Sequence, residues 1–248
     1  MLNLQDIELV CVDTTPKFEL SLSAIEHSIK YVNFGKVSFF TSSKIVKNCT
    51  TNMYNSDNKR VNINMYDVNI SNTLDYNYFI NHDFVKYVTY KHILIVQWDG
   101  FIINPGSWTD EFLGYDNIGA RWGFGDINNN GHGGNGGNGG FTLRSKNLLD
   151  TISNNINEFD DNISNSNNVN KYNEDVQICM INRELLHNKG IVFCDHELAD
   201  QFSIQQTECY KYYKPYPITH NFGFHGYNAY LPEIIKKRFS ERCSRYEG

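Results

Sequence analysis

An aspartate stands directly after a short apolar run near the middle of the chain. Residues 93–96 are followed by Gln97-Trp98-Asp99-Gly100, a pattern typical of a buried strand that ends in a turn. Open α/β sheets bind ligands outside the carboxyl ends of such strands. A carboxylate there can hold Mg²⁺ or Mn²⁺, which neutralises a diphosphate leaving group. The alternative is that Asp99 only caps the turn.

Two adjacent carboxylates, Glu174 and Asp175, stand at the start of a predicted helix over residues 174–186. A carboxylate within hydrogen-bond distance of a hydroxyl can remove its proton. Two adjacent carboxylates can therefore supply one base and one orienting group. The structural alternative is equally open, because the helix dipole favours acidic residues in a first turn.

The first apolar run, over residues 7–12, ends at Asp13-Thr14-Thr15-Pro16. An acidic residue close to the first strand of a nucleotide-binding fold can contact a ribose or a base. Asp13 and Thr14 are therefore candidates for nucleotide binding. Asp13 is equally a candidate turn residue, since Asp and Pro are both typical of turns.

A glycine-rich tract ends in Asn138-Gly139-Gly140, immediately before another apolar run. We expect these glycines to let the backbone approach a ligand closely. G-x-G-x-x-G spacings occur in the tract, but the dinucleotide fingerprint requires a preceding strand and a following helix, and here a strand follows. Arg144, shortly after the tract, can bind a phosphate or pair with a carboxylate.

One histidine and three tryptophans complete the set of candidates. His225 lies between glycines, where it can ligate a metal, contact a diphosphate or occupy a turn. Trp98, Trp108 and Trp122 surround the Asp99 turn in sequence. Their rings can stack on a base or a sugar, although most such rings belong to cores.

Alternating strands and helices must position these residues. The chain opens with a strand at 7–12, an amphipathic helix at 20–31 that Phe34-Gly35 closes, and a strand at 36–41, an order that favours a parallel sheet. Further predicted strands cover 61–68, 92–96, 112–120, 141–144 and 190–194. Further predicted helices cover 74–88, 145–152 with Ser145 as N-cap, 174–186, 196–202 and 231–238.

Two Asn-rich stretches interrupt this pattern. Residues 126–137 and 154–173 offer little apolar area to offset their ordering entropy, and we expect flexible insertions there, the second one disordered at its centre. Residues 48–64 are polar and are expected to form a loop. The abundance of Asn is typical of an AT-rich genome, such as that of a large virus or a protist.

Composition excludes several classes of protein. A net charge of -6 argues against a nucleic-acid partner held by a general basic surface. The six cysteines are scattered, which favours reduced thiols over a zinc site or a disulfide framework. We expect no signal peptide, because the first residues are acidic and lack a long apolar run, and no membrane span, because no stretch approaches the ~20 apolar residues that one needs. We expect a cytoplasmic protein, in an infected host cell if the source is a virus.

The strings QWDGFIINPGSWTDEFLGYDNIGARW, GNGGFTLRS, EDV and FGFHG occur in that order. Together they resemble the DUF5672 family, which is related to glycosyltransferases of the GT-A fold, and the resemblance covers roughly residues 5–230. It implies a GT-A-like, Rossmann-like α/β fold, with a mixed, mostly parallel sheet flanked by helices. We expect residues 1–248 to form a single domain.

The resemblance also implies roles for individual residues. Asp99 takes the place of the acidic metal or sugar-diphosphate motif, although Gln97 occupies its first acidic position. Trp98 and Gly100 flank Asp99 in the same motif and are expected to bind the donor, and Asn138, Gly139 and Gly140 match a glycine-rich segment that lines the pocket for the donor sugar and the acceptor. Asp175 matches the base of inverting members, and His225 matches the histidine that often ligates Mn²⁺ or Mg²⁺.

The expected reaction moves a sugar from a nucleotide-sugar, a UDP-sugar first of all, to a hydroxyl of a glycan, protein or small molecule. Inversion at the anomeric carbon is expected. The main alternative is a non-catalytic nucleotide-sugar or glycan-binding module, which Gln97 motivates. A nucleotidyltransferase is disfavoured, because the segment after the first strand, residues 13–16, is not a basic, glycine-rich phosphate loop. The oligomeric state does not follow from the sequence.

Overall fold

The computed structural model describes residues 1–16, 18–48, 53–122, 137–205 and 220–226. The strands in these ranges are β1 Leu2–Val12, β2 Val32–Thr41, β3 Met53–Tyr54, β4 Arg60–Val61, β5 Asn64–Asp67, β6 His92–Val96, β7 Gly100–Ile102, β8 Asn117–Gly119, β9 Phe141–Ser145, β10 Ser203–Gln205 and β11 Gly223–His225. The α-helices are α1 Phe18–Ile29, α2 Ser43–Asn48, α3 Thr73–Tyr78, α4 Lys146–Asn154, α5 Ile156–Asn165, α6 Glu174–Val176, α7 Arg183–Asn188 and α8 His196–Phe202. Two π-turns, Phe79–Asp83 and Gln177–Ile181, continue α3 and α6.

The main sheet has six strands in the order β5-β2-β1-β6-β9-β8. The four strands β5, β2, β1 and β6 are parallel, whereas β9 is antiparallel to both β6 and β8. A smaller sheet has the order β10-β11-β7, and β3 pairs with β4. This architecture confirms the predicted α/β class with a mixed, mostly parallel sheet.

Both faces of the main sheet are covered by apolar side chains. Leu9 and Cys11 of β1 belong to the core cluster on the α1 side, while Val10 and Val12 belong to the cluster that contains Phe79. Because both faces are buried there, β6 and the second half of β1, residues 7–12 apart from Glu8, are nearly continuous apolar runs rather than alternating ones. That pattern is why the sequence located these two strands.

Several predicted elements are confirmed. The strand at 92–96 and the helix at 196–202 have the predicted bounds, as β6 and α8. Ser145 caps α4 as expected, and its hydroxyl accepts a hydrogen bond from the Leu148 N–H at 2.9 Å. The helix predicted over 74–88 is present as α3, a π-turn and a 3₁₀ turn at Phe84–Lys86.

The prediction that Phe34-Gly35 closes the first helix is wrong. Both residues lie in β2, which begins at Val32. A Cβ added to Gly35 would lie 2.0 Å from the Gln5 carbonyl oxygen, so this glycine permits a close approach between β2 and β1.

The prediction of disorder at the centre of 154–173 is also wrong. This stretch contains α5, and Phe159 within it is fully buried. Asn182 donates hydrogen bonds from its side chain to the Phe159 carbonyl at 3.2 Å, and it accepts one from Asn162 at 2.9 Å. The helix forms because Phe159 and its apolar neighbours share one face, which the many Asn residues obscure in a composition count.

The remaining differences concern short elements. The strand predicted at 112–120 is a 3₁₀ turn, Asp110–Gly114, followed by β8, and the strand predicted at 190–194 is reduced to one bridge between Phe193 and Asn117. The loop predicted at 48–64 contains the β3–β4 pair. The helix predicted at 231–238 and most of the tract at 126–137 lie outside the described residues.

Candidate active site

Three segments of the site meet at one edge of the main sheet. Residues Asp13 and Gln97 follow the carboxyl ends of the parallel strands β1 and β6, where Cys11 pairs with Val96. Because β9 is antiparallel, its amino end lies at the same edge, and the segment 138–140 therefore meets them. We call this segment the glycine strap.

A cavity of about 710 Å³ opens at this edge. Nine of the residues predicted for the site line it: Asp13, Thr14, Trp98, Asn138, Gly139, Gly140, Glu174, Asp175 and His225. Asp99, Gly100 and Arg144 lie behind these lining residues rather than among them. The fold thus gathers into one cavity side chains that are more than 200 positions apart along the chain.

The glycine strap is fitted to side chains on both sides. A Cβ added to Gly139 would lie 2.3 Å from Oε1 of Glu174, and one added to Gly140 would lie 2.1 Å from Nε2 of His225. A Cβ on Gly100 would in turn lie 2.5 Å from the Gly140 carbonyl oxygen. The glycines were predicted to admit a ligand, but their missing side chains make room for Glu174 and His225.

Asp175 is held against the strap in a half-buried position. Its Oδ2 accepts a hydrogen bond from the Gly139 N–H at 3.1 Å, and its Oδ1 accepts one from the Val176 N–H at 2.8 Å. Burial and the adjacent charge of Glu174 raise the pKa of the Asp175 carboxyl to about 7, although both hydrogen bonds oppose the shift. A carboxyl with that pKa can accept a proton near neutral pH.

The Arg144 side chain points to Glu174 rather than into the cavity. Its side chain is fully buried, and its Nη2 donates to Oε1 of Glu174 at 2.9 Å. Arg144 therefore pairs with a carboxylate, the alternative that the sequence left open, and does not reach the cavity to contact a phosphate. The pair fixes Glu174 and partly neutralises it, which leaves Asp175 as the carboxylate that is available to a substrate.

Asp99 and His225 lie side by side. Oδ1 of Asp99 is 3.6 Å from Nε2 of His225, and the Gly226 N–H donates to the Asp99 carbonyl at 2.9 Å. Within the described part of the chain, Oδ1 of Asp99 and Nδ1 of His225 are buried without a hydrogen-bond partner. Burial lowers the pKa of His225, so its imidazole is neutral near pH 7 and can act as a metal ligand.

These two residues fit a divalent cation as a two-ligand set. A carboxylate oxygen and a neutral imidazole are both ligands of Mn²⁺, and a hard cation commonly takes its remaining ligands from substrate phosphates and water. Among the described residues, no group of three His, Cys, Asp or Glu side chains converges on one point. Any further ligands among these residues must therefore be of another kind.

Asp13 is engaged by its own turn. Its Oδ2 accepts from the Ser21 hydroxyl at 2.6 Å and its Oδ1 accepts from the Thr15 N–H at 2.8 Å. The Thr14 hydroxyl donates to the Ile70 carbonyl at 2.6 Å. Both residues predicted for nucleotide binding still border the cavity, but hydrogen bonds within the protein fix their side chains.

The tryptophans separate into two groups. Trp98 lines the cavity, whereas Trp122 is buried in the core around α4 and α7. Trp108 packs edge-to-face on Phe112 and Phe222, with ring centroids 5.3 and 5.0 Å apart. Only Trp98 of the three is therefore placed to stack on a ligand in this cavity.

A match over residues 60–225 links the sequence to the family described as Protein of unknown function (DUF5672). The chain belongs to the DUF5672 family. A search of curated proteins finds no significant match to this member of the family.

Solved structures show which fold this DUF5672 protein has. The apo-form glycosyltransferase GlyE of Streptococcus pneumoniae TIGR4 superposes with a TM-score of 0.54 at 13% identity, over 95% of this chain and 63% of GlyE. Galactosyltransferase LgtC, solved with donor and acceptor sugar analogs, gives 0.59 at 12% identity, over 94% of this chain and 95% of LgtC. Mouse xyloside xylosyltransferase 1 gives 0.53 at 12% identity, over 93% and 99% of the two chains.

These similarities establish a GT-A-like fold for the DUF5672 chain. The chain spans only about 63% of the length of GlyE, but nearly the whole of LgtC and of the xylosyltransferase. Its described part contains no helix that is both long enough and apolar enough to cross a membrane.

Two further side chains of the site were not predicted from the sequence. Tyr76 and Asn77 of α3 both line the cavity, and the Tyr76 hydroxyl accepts a hydrogen bond from Nε2 of Gln97 at 3.3 Å. The helical pattern located α3 but did not show which of its polar residues face the sheet edge. Their role depends on contacts with residues 21 and 97 positions away.

Proposed function

We propose that this chain is a glycosyltransferase that moves a sugar from a nucleotide-sugar, a UDP-sugar first of all, to a hydroxyl acceptor with inversion. One observation carries the proposal. Asp175 bonds to Gly139 and the His225 ring packs on Gly140 at the edge of a single cavity, and Asp99 lies behind His225, with its Oδ1 3.6 Å from Nε2 of that ring. A base and a group that binds a diphosphate are thereby held at neighbouring positions.

The proposed step is a displacement at the anomeric carbon. The acceptor hydroxyl gives its proton to Asp175, and its oxygen forms a bond to the anomeric carbon. The bond from that carbon to the diphosphate oxygen breaks, and the electron pair leaves with the diphosphate. The pKa of about 7 for Asp175 supports this role, because a base is most effective when its pKa is near the working pH.

Glu174 is assigned the orienting role. Its ion pair with Arg144 and its packing on Gly139 keep it in one position. Because Oε1 of Glu174 is bound to the buried guanidinium of Arg144, this carboxylate is less free than Asp175 to accept a hydrogen bond from a substrate hydroxyl. Its charge in turn raises the proton affinity of Asp175.

Asp99 and His225 are assigned to the diphosphate. A bound Mn²⁺ or Mg²⁺ would stabilise the negative charge that develops on the leaving diphosphate. The cavity needs such a positive charge, because its lining among the described residues includes three carboxylates, Asp13, Glu174 and Asp175, and no lysine or arginine. His225 from the cavity wall and Asp99 from behind it would hold the ion, and Trp98, which lines the cavity, would stack on the base or the sugar.

The test is donor binding followed by turnover. A ligand that binds only the folded protein raises its melting temperature, and at about 100 times Kd the stabilisation is about 2.7 kcal/mol. We expect one nucleotide family to raise the Tm, more strongly with Mn²⁺, and the matching nucleotide-sugar to release its nucleotide when an acceptor is added. No shift with any nucleotide or nucleotide-sugar would contradict the proposal.

A binding module without catalysis is the second candidate. The presence of Gln97 at the first position of the acidic motif favours this candidate. With no carboxylate there, the described residues offer only Asp99 and His225 as metal ligands of the usual types at this turn. This candidate predicts the same shift in Tm with a nucleotide-sugar, but no nucleotide release above that of an Asp175→Asn variant.

A further inference from the structure

The N-cap residue of the helix that carries Asp175 does not cap the Glu174 N–H. Asn173 stands at the N-cap of α6, but its side chain makes no capping hydrogen bond. The N–H groups of a first helical turn have no partner within the helix and must find one elsewhere. For the Glu174 N–H, that partner comes from α3, 97 positions earlier in the chain.

Asn77 supplies this cap. Its Oδ1 accepts from the Glu174 N–H at 3.2 Å, and its Nδ2 donates to the Tyr172 carbonyl. The Asn77 side chain is 5% exposed and borders the cavity. Since both ends of one amide group are bound to the segment 172–174, this side chain fixes the two peptide groups on either side of Asn173, where the chain enters α6.

A second amide contact joins the same two helical segments one turn further on. Nδ2 of Asn81 donates to Oε1 of Gln177 at 2.7 Å, and both side chains are buried. Both residues belong to the π-turns that continue α3 and α6, and neither borders the cavity. The pair resembles the Asn77 contact in chemistry and burial, but it lies away from the candidate base.

We propose that Asn77 is a positioning residue that sets the place of the Asp175 carboxylate against the glycine strap. The expected effect of Asn77 on kcat rests on the proposed function. Its effect on the contact between Asp175 and Gly139 does not. Asp175 reaches Gly139 through a single hydrogen bond of 3.1 Å, so a small shift of the first turn of α6 breaks that contact. A displacement of about 1 Å at a reacting group can lower a rate by about 100-fold.

The test compares Asn77→Ala with Asn81→Ala in the full chain. Both variants lose a buried amide contact between the same segments, and we expect the larger decrease in Tm for Asn77→Ala, because Asn77 makes two hydrogen bonds to α6 and the residues before it, whereas Asn81 makes one. Asn77→Ala should lower kcat by about 100-fold with the donor KM within about threefold, whereas Asn81→Ala should keep kcat within about threefold of wild type. Asn77→Asp has nearly the same shape but no amide donor, and its kcat should fall at least about tenfold. This variant takes the place of Asn77→Ala if Asn77→Ala does not fold.

Hydrogen–deuterium exchange of the peptide that spans residues 137–141 gives a readout without turnover. Loss of the Gly139 contact should speed exchange there in Asn77→Ala and Asn77→Asp, but not in Asn81→Ala. Equal losses of kcat and of protection in the Asn77 and Asn81 variants would overturn the positioning role, as would unchanged protection and kcat in both Asn77 variants. If the wild type transfers no sugar, the proposed function fails, and the exchange comparison still decides the role of Asn77.

Discussion

The imidazole of His225 fills the space that a side chain on Gly140 would need. A Cβ added to Gly140 would lie 2.1 Å from both Cδ2 and Nε2 of that ring, far inside the contact distance that real Cβ atoms show. The Glu174 carboxylate likewise fills the space that a side chain on Gly139 would need. Two adjacent glycines, whose Cα atoms are about 3.8 Å apart, therefore set the spacing between the proposed diphosphate group and the carboxylate pair.

Gly140→Ala should consequently displace His225 from Asp99. Overpacking of this kind costs about 1–3 kcal/mol of folding free energy, and the displaced ring should also weaken the effect of Mn²⁺ on donor binding. Urea denaturation measures the first effect, and the Mn²⁺-dependent part of the donor-induced Tm shift measures the second.

A double-variant cycle isolates the cause of that loss. Gly140→Ala combined with His225→Ala should cost less than the sum of the two single changes, because the added methyl group then has room. Gly114→Ala is the matched control, since a Cβ there would meet nothing within 4 Å. Additive effects of Gly140→Ala and His225→Ala would show that the ring and the glycine are not coupled.

Asp175→Asn should abolish transfer and leave donor binding nearly intact. An amide cannot take up the acceptor proton, and loss of a general base typically lowers the rate by about 100- to 10,000-fold. The wild-type rate should rise with pH through about 7, where Asp175 loses its proton. Measurements of kcat and of the donor Kd separate the two effects, with Asp161→Asn on the exposed face of α5 as control. Loss of donor binding together with transfer would reject the assignment of Asp175 as the base.

The same carboxyl should make stability depend on pH. In the folded chain the pKa of Asp175 is about 7, above the value of about 3.9 for an unfolded aspartate. The folded state therefore binds the proton more tightly, and this contribution to stability decreases as pH rises from about 4 to about 7. Asp175→Asn should match the wild-type Tm near pH 4 and exceed it above pH 7. A Tm difference that is the same at both pH values would contradict the raised pKa.

Much of this fold could be predicted from single stretches of sequence. β6 is an apolar run because both of its faces are buried in the core. Ser145 indicates the start of α4 because its hydroxyl caps that helix. In these cases the physical cause lies within a few residues of its effect. The acidic turn after β6 and the carboxylates that begin α6 were located for the same reason.

The parts that could not be predicted depend on distant partners. Arg144 has the chemistry of a phosphate ligand, and only the approach of Glu174 from 30 positions away makes it a buried ion-pair partner. Gly140 has the freedom to approach a ligand, but His225 occupies the available space. Asn77 carries no local signal for its contact with α6. In each case the residue type permits several roles, and tertiary packing selects one.

Removal of the Arg144 guanidinium should destabilise the protein strongly. Arg144→Met leaves Glu174 buried without its cation, and breaking a buried ion pair from one side typically costs about 3–5 kcal/mol. Lys86→Met is the control, because its ion pair with Asp83 is exposed on both sides and exposed pairs contribute little to stability. Urea denaturation gives both values.

Glu174→Gln should rescue part of the loss in Arg144→Met. The double variant buries a neutral amide in place of an unpaired carboxylate, so it should be more stable than Arg144→Met alone. If the double variant is no more stable, the cost of Arg144→Met comes from packing rather than from the unpaired charge of Glu174.

Phe159→Ala tests whether α5 is part of the folded core despite its Asn-rich sequence. The ring is fully buried and packs in the cluster that contains Leu148 and Ile178, and α6 and the π-turn that follows it lie against the same cluster. Removal of a buried phenylalanine ring typically costs about 3–5 kcal/mol. Urea denaturation should show that loss, while Asp161→Ala on the exposed side of the same helix stays within about 0.5 kcal/mol of wild type. Equal stabilities of the two variants would mean that residues 154–173 do not pack as a helix, and the support beneath Asp175 would then have to come from α3, α4 and α7.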